Sequence, residues 1–170
     1  MFPLLFTGIQ IMATVEQKIE KLLLEKFSDT DFADCFVIEI KLGVSNKLEV
    51  FVDADNGIDF GRCQKLSRYL EATLDTEKWL GETYILEVSS PGLSRPLKFL
   101  RQYAKHIGRD LEISSNDGTI TEGEFVSLEN DVISLQYEEK RKEGKKNIKE
   151  MKIVPIPFSE VKKAMVKIKF

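Results

Sequence analysis

A chain of 170 residues favours one compact domain or two small ones, and its 42% hydrophobic and 31% charged residues predict a globular fold with a real core rather than a disordered chain. One histidine and two cysteines that form no CxxC pair leave metal sites poorly supplied. Cys63 falls on the apolar face of a predicted helix and Cys35 at the start of a strand, so two reduced, buried thiols in a cytoplasmic protein are expected.

The opening MFPLLFTGIQI is apolar but far below the ~20 residues that span a bilayer, and it lacks the basic start of a secretory signal. No membrane partner is expected. Met12 directly precedes an amphipathic helix, so it reads as the natural start, with residues 1–11 a non-native or upstream-start extension. Thr14 and Gln17 have the spacing of a capping box, and Val15, Ile19, Leu22, Leu23 and Phe27 recur at helical spacing. In CFVIEIKL, Phe36, Ile38, Ile40 and Leu42 alternate with Val37, Glu39 and Lys41, which predicts a half-buried strand. Turn residues from Gly43 to Asn46 join it to KLEVFVD, with Leu48, Val50 and Val52 on one face, as an antiparallel hairpin. Asp59 is placed to cap a second helix, with Ile58 stapled against Cys63. Phe60, Cys63, Leu66, Leu70 and Leu74 form its predicted buried stripe. A strand from Tyr84 to Val88 completes an α-β-β-α-β order, with both helices over one face of the sheet.

The second half has a different rhythm. GRDLEIS, TITEGEFVSL, DVISLQYEE, KEMKIVPIP and VKKAMVKIKF are five strand candidates, and Asn116-Asp117-Gly118, Glu129-Asn130-Asp131 and the region of Gly144 are turns. Many short strands predict a small barrel that closes its own edges, with Gly123 bending a long strand. The fold class is therefore α+β. Charge divides the chain as well: residues 1–95 hold 10 Lys+Arg against 16 Asp+Glu, and residues 96–170 hold 15 against 12. Such asymmetry suggests two modules with different partners.

Catalytic chemistry finds little purchase. Val88-Ser89-Ser90-Pro91-Gly92 lacks the first glycine of a nucleophile elbow, and His106 reads as exposed or half-packed rather than as a base. No phosphate-binding glycine loop occurs. Asp53, Asp55 and Asp59 do not fit an EF-hand, whose sixth and twelfth positions are here Ile58 and Gln64. No enzyme and no cofactor are expected. Binding remains: Lys140, Arg141, Lys142, Lys145 and Lys146 lie in a basic loop, Lys140–Lys152, on a predicted hairpin suited to RNA phosphates. A solvated loop tip is an equally good reading, since Glu138, Glu139, Glu143 and Glu150 dilute the charge. Phe51, on the polar face of its strand, suits either base stacking or packing against a second layer.

The stretch EVSSPGLSRPL, Glu87 to Leu97, resembles the signature of the bacterial ribosome maturation factor RimP family, approximately EVSSPGLDRPL, with Ser94 in place of the usual Asp. The VFVD strand, Ile107-Gly108-Arg109 and IPFSEVKKA extend the resemblance over essentially the chain from Met12 onward. It implies an N-terminal α/β domain over residues 12–92, a linker over 93–97 and a C-terminal SH3- or Sm-like barrel over 98–170. The α-β-β-α-β order is also similar to KH-type RNA binders, although no GxxG loop occurs here. The implied function is non-enzymatic: binding the immature small (30S) ribosomal subunit and assisting its maturation, as a monomer. Small-subunit protein twelve and small-subunit ribosomal RNA are the implied partners. A generic RNA-binding or RNA-chaperone protein acting through the barrel is the alternative.

Within the motif, Pro91-Gly92 suits a type II turn with positive φ at Gly92. Ser89 and Ser90 can tie down backbone groups where the strand ends, and Pro96 stiffens the exit. Leu93 belongs to the same run. Arg95 is its one long donor, aimed at an acidic group across the boundary or at an external phosphate. The whole motif reads as a stiff connector.

Overall fold

A computed structural model describes residues 11–170 of the chain. The expectation for residues 1–11 lies, apart from Ile11, outside them. Helix α1 (Val15–Lys26) starts at Thr14, whose side chain and that of Gln17 form the reciprocal capping box. Strands β1 (Cys35–Leu42) and β2 (Lys47–Ala54) form the antiparallel hairpin, and helix α2 (Phe60–Glu77) crosses to β3 (Ile85–Ser89), which lies parallel to β2. Asp59 caps α2 by accepting the Arg62 N–H at 2.7 Å. Leu66, Leu70 and Leu74 of α2 and Ile19 and Leu23 of α1 bury against Leu48, Val50 and Val52, so both helices cover one face of the sheet. Cys35 and Cys63 are free and buried.

The predicted pattern fails at the start of α2 and within β1. Phe60 is 81% exposed rather than part of the α2 stripe; at the first helical position, its side chain lies before the turns that reach the core. In β1 the pairing with β2 shifts between Val37 and Glu39. The bulge reverses the alternation, because side chains change face with each single-residue slip. Cys35 and Val37 therefore face the core before it, and Ile40 and Leu42 after it. Phe36, predicted inward, is turned to the opposite face of the sheet.

The second half forms a five-stranded antiparallel sheet from β4 (Asp110–Ser115), β5 (Ile120–Glu129), β6 (Val132–Glu143), β7 (Lys146–Pro157) and β8 (Val161–Val166), in the order β7-β6-β5-β4-β8. A barrel that closes its own edges is not what forms, since β7 and β8 do not pair. Pro155 and Pro157, two apart in β7, remove donors that a further strand would need, as suits an outer edge. The core beneath this sheet is separate from the first. Tyr103 sits at its centre with its ring edge-on to Phe125 and Phe158, among Leu97, Leu111, Ile113, Ile133 and Leu135.

The connections follow turn chemistry. Asn130 and Asp131 both take positive φ between β5 and β6, as a two-residue primed hairpin turn requires. Gly144, with φ 62°, opens the two-residue loop between β6 and β7. Gly123 is needed for close approach: a Cβ there would lie 2.6 Å from the Gln136 carbonyl oxygen of the neighbouring strand.

Candidate functional site

The SSPGLSRPL run begins where β3 ends and carries the chain from the first sheet to the second. Gly92 has φ 63°, which a side chain disfavours. Pro96 precedes Leu97, whose N–H donates to the Ala164 carbonyl at 2.9 Å and whose side chain belongs to the second core. Arg95 turns back toward the first sheet. Its Nη1 donates to Glu39 Oε2 at 2.9 Å, and its guanidinium carbon stands 3.6 Å from the centre of the Phe51 ring. Arg95 thereby covers one face of the Phe51 ring, the packing alternative of the two expected for it.

Further along, two short 3₁₀ turns, Leu100–Gln102 and Ala104–His106, present a row of donors to that same sheet face. Arg101 binds both oxygens of Asp55, at 2.5 and 2.9 Å, and lies 4.6 Å over the Phe36 ring. The salt bridge and its hydrogen bonds hold the Asp55 carboxyl below its ordinary pKa. Asp53 is only 3% exposed. Its Oδ1 accepts from the Lys105 ammonium and from the Ala54 N–H, and its Oδ2 from the Gln102 amide at 3.3 Å. Gln102 Oε1 in turn accepts from Lys98 N and Phe99 N at 2.7 and 2.9 Å. Lys98 Nζ donates to the Ile38 carbonyl at 3.2 Å, at the β1 bulge. The bulge and the alternation of β2 thus bring Phe36, Glu39, Phe51 and Asp53 to one charged seam between the two sheets.

A cavity of about 150 Å³ lies under the connector, walled in part by Asp53, Ser90, Gly92, Gln102 and His106. His106 is 7% exposed, not exposed or half-packed as its polar surroundings in sequence suggested. Its Nδ1 has no protein partner. Burial, with Lys105 and Arg109 nearby, pushes its pKa down to about 4. No hydrogen bond joins it to Ser89 or Ser90 among the described residues. A larger groove of about 390 Å³ runs along the seam beside β8, lined by Arg95, Lys98, Lys162, Lys163 and Phe158.

The basic residues are elsewhere. The predicted hairpin over Lys140–Lys152 forms, and the β6–β7 ladder continues through it up to the Glu143↔Lys146 pair rather than leaving a long loop. Beyond Gln136, where pairing with β5 ends, β6 and β7 pair only with each other. Seven pairs project about 23 Å as a free ribbon. Gly144 makes the tight loop, and ion pairs of Lys149 with Glu138 and Lys152 with Glu139 span the two strands. Lys140, Arg141, Lys142 and Lys146 sit on this ribbon, and Lys145 at its tip. The structure therefore separates the predicted residues into two groups. Ser89, Ser90, Pro91, Gly92, Leu93, Arg95 and Pro96 lie at the seam, and the cations lie on the ribbon.

Sequence reasoning missed Arg101, Gln102 and Lys105. The signal was the row Asp53, Asp55 and Asp59, which divides its work among Lys105, Arg101 and the α2 cap. No cluster of three or more metal-ligating side chains occurs among the described residues, and no described helix is long and apolar enough to cross a membrane.

Residues 23–94 match the model of the RimP N-terminal domain. The chain is also 32% identical over 158 residues to the ribosome maturation factor RimP of Christiangramia forsetii, covering 92% of this chain and 99% of that one. This chain belongs to the RimP family. The RimP N-terminal match ends at Ser94, within the connector. Arg95, Arg101 and Lys105, the donors that clasp the first sheet, follow directly after it.

Proposed function

We propose that this chain is a non-enzymatic ribosome maturation factor that binds the immature small (30S) ribosomal subunit in the cytoplasm, as a monomer, through two modules held at a fixed angle. The observation that carries the reading is the seam: Arg95, Arg101 and Lys105 reach from one side onto Glu39, Asp55 and Asp53 on the other. The modules are residues 12–92, a KH-like α/β sandwich without a GxxG loop, and residues 98–170, an SH3- or Sm-like open barrel, joined by residues 93–97. Their separate cores support that division.

The RimP relationship supports the ribosomal setting. The acidic first module suits a basic ribosomal protein, with small-subunit protein twelve the partner of choice. The ribbon suits small-subunit ribosomal RNA, whose phosphates reward clustered cations. Each contact can be modest, because a fixed spacing between two binding surfaces raises effective concentration. Sedimentation of the purified chain with immature small, mature small and large subunits tests the proposal. Enrichment with immature small subunits is expected, and equal association with all three particles refutes it. A generic RNA binder would follow naked RNA as readily as the subunit.

A further inference from the structure

The ribbon is not uniformly basic, and its register says which side carries the charge. Residues directly opposite each other in an antiparallel pair share a face, and faces alternate along each strand. Tyr137↔Lys152, Glu139↔Glu150, Arg141↔Ile148 and Glu143↔Lys146 lie on the face that continues the buried residues Leu135 and Ile133. There three cations meet three carboxylates, with Arg141 near Glu143 and Lys152 against Glu139. Glu138↔Met151, Lys140↔Lys149 and Lys142↔Asn147 lie on the opposite, outer face. That face holds three lysines and one glutamate.

Only Lys149 is paired there, with Glu138 at 3.3 Å. Lys140 and Lys142 make no ion pair among the described residues. They stand two residues apart on one strand, about 6.6 Å, with Lys149 directly across from Lys140. Next to this cluster, toward the body of the sheet, Met151 and Ile153 are 57% and 61% exposed and share the face with Gln136. A solvated charge run gives no reason for large apolar side chains beside it on the same face.

We propose that the outer face of the β6–β7 ribbon is the RNA-binding surface of this protein. It takes the phosphates of a single strand on Lys140, Lys142 and Lys149 and packs the sugars and base edges against Met151 and Ile153. The inner face carries equal numbers of cations and carboxylates and stays turned from the RNA. The inference rests on the RNA-binding part of the proposed function and specifies it, since it excludes Arg141 and Lys146 from the contact.

Two triple variants of the full chain remove the same number of charges from the same ribbon. One is Lys140→Gln with Lys142→Gln and Lys149→Gln; the other is Arg141→Gln with Lys146→Gln and Lys152→Gln. Binding to small-subunit ribosomal RNA is measured by fluorescence anisotropy across a salt series. The outer triple is expected to weaken binding about tenfold or more and to flatten the log affinity against log salt slope by about 2, as three lost single-strand phosphate contacts dictate. The inner triple is expected to stay within about twofold. Equal losses from both overturn the face assignment while leaving RNA binding by the ribbon intact. No loss from either overturns that RNA reading as well. Met151→Ser with Ile153→Ser is expected to weaken binding about threefold with an unchanged slope, because the lost contact is apolar. Undiminished binding there removes the apolar part of the surface.

Discussion

Asp53 is a buried carboxylate satisfied by one ammonium, one amide and one backbone N–H, so its cost is set by whichever partner is taken away. Lys105→Met leaves the charge buried and unpaired, and a loss of about 3–5 kcal/mol is expected in urea denaturation. Replacing both, as Asp53→Leu with Lys105→Met, should recover most of it, since an apolar pair carries no stranded charge. If the double variant is as unstable as the single, the pair is not what matters. His106 sets a second, pH-dependent test. Its folded pKa, near 4, lies below the ordinary 6.5 because burial penalises the imidazolium. The unfolded chain therefore takes up the proton first, and stability falls as pH drops from about 6.5 to about 4, by about 3 kcal/mol. Asp34 and Asp55 have lowered pKa values, so their contributions persist through this window and are lost only below it. In the His106→Gln variant, melting temperature should be nearly flat between pH 6.5 and 4.5, and a slope like the parent's would acquit the histidine.

At the scale of elements, two local irregularities decide what the sheets present. The β1 bulge is invisible in CFVIEIKL, which alternates without a break, because the slip is set by the partner strand and not by β1 itself. Its effect reaches the seam: without it, Phe36 would face the helices and Arg101 would lose the ring it lies over. Gly123 is the second. Its glycine was legible as a strand irregularity, but the reason was not, since only the structure brings the Gln136 carbonyl against it. Gly123→Ala should destabilise the chain by about 2 kcal/mol in thermal unfolding, because the overlap is with backbone and can be relieved only by separating β5 from β6. A melting temperature equal to the parent's would show that the two strands part at little cost.

For the whole molecule, the seam determines whether the two cores act as one body. Arg95 and Arg101 are each more than a third exposed as side chains, so their ion pairs add little to stability singly. Their value lies in orientation, since both guanidinium groups are held between a carboxylate and an aromatic ring. Arg95→Ala with Arg101→Ala should leave both cores folded, with melting temperature lowered by only a few degrees. Small-angle scattering should then show a larger radius of gyration, and subunit binding should weaken. An unchanged scattering profile would mean that the connector alone holds the angle.

Among the described residues, the periodicity of apolar residues was enough to place both α-helices, all eight strands and most of the core, because burial on one face repeats at 3.6 or 2 residues wherever an element packs as a regular unit. Turn chemistry located Gly92, Asn130-Asp131 and Gly144 for an equally local reason, the backbone angles those residues tolerate. The SSPGLSRPL run announced the family. Tertiary structure alone decided the rest. It placed Asp53 against Lys105 and Asp55 against Arg101, turned a basic loop into a two-faced ribbon, and left the five-stranded sheet open. Each of these depends on pairings between residues far apart in the chain, and a residue's own neighbours in sequence carry no record of the partner that folding brings to it.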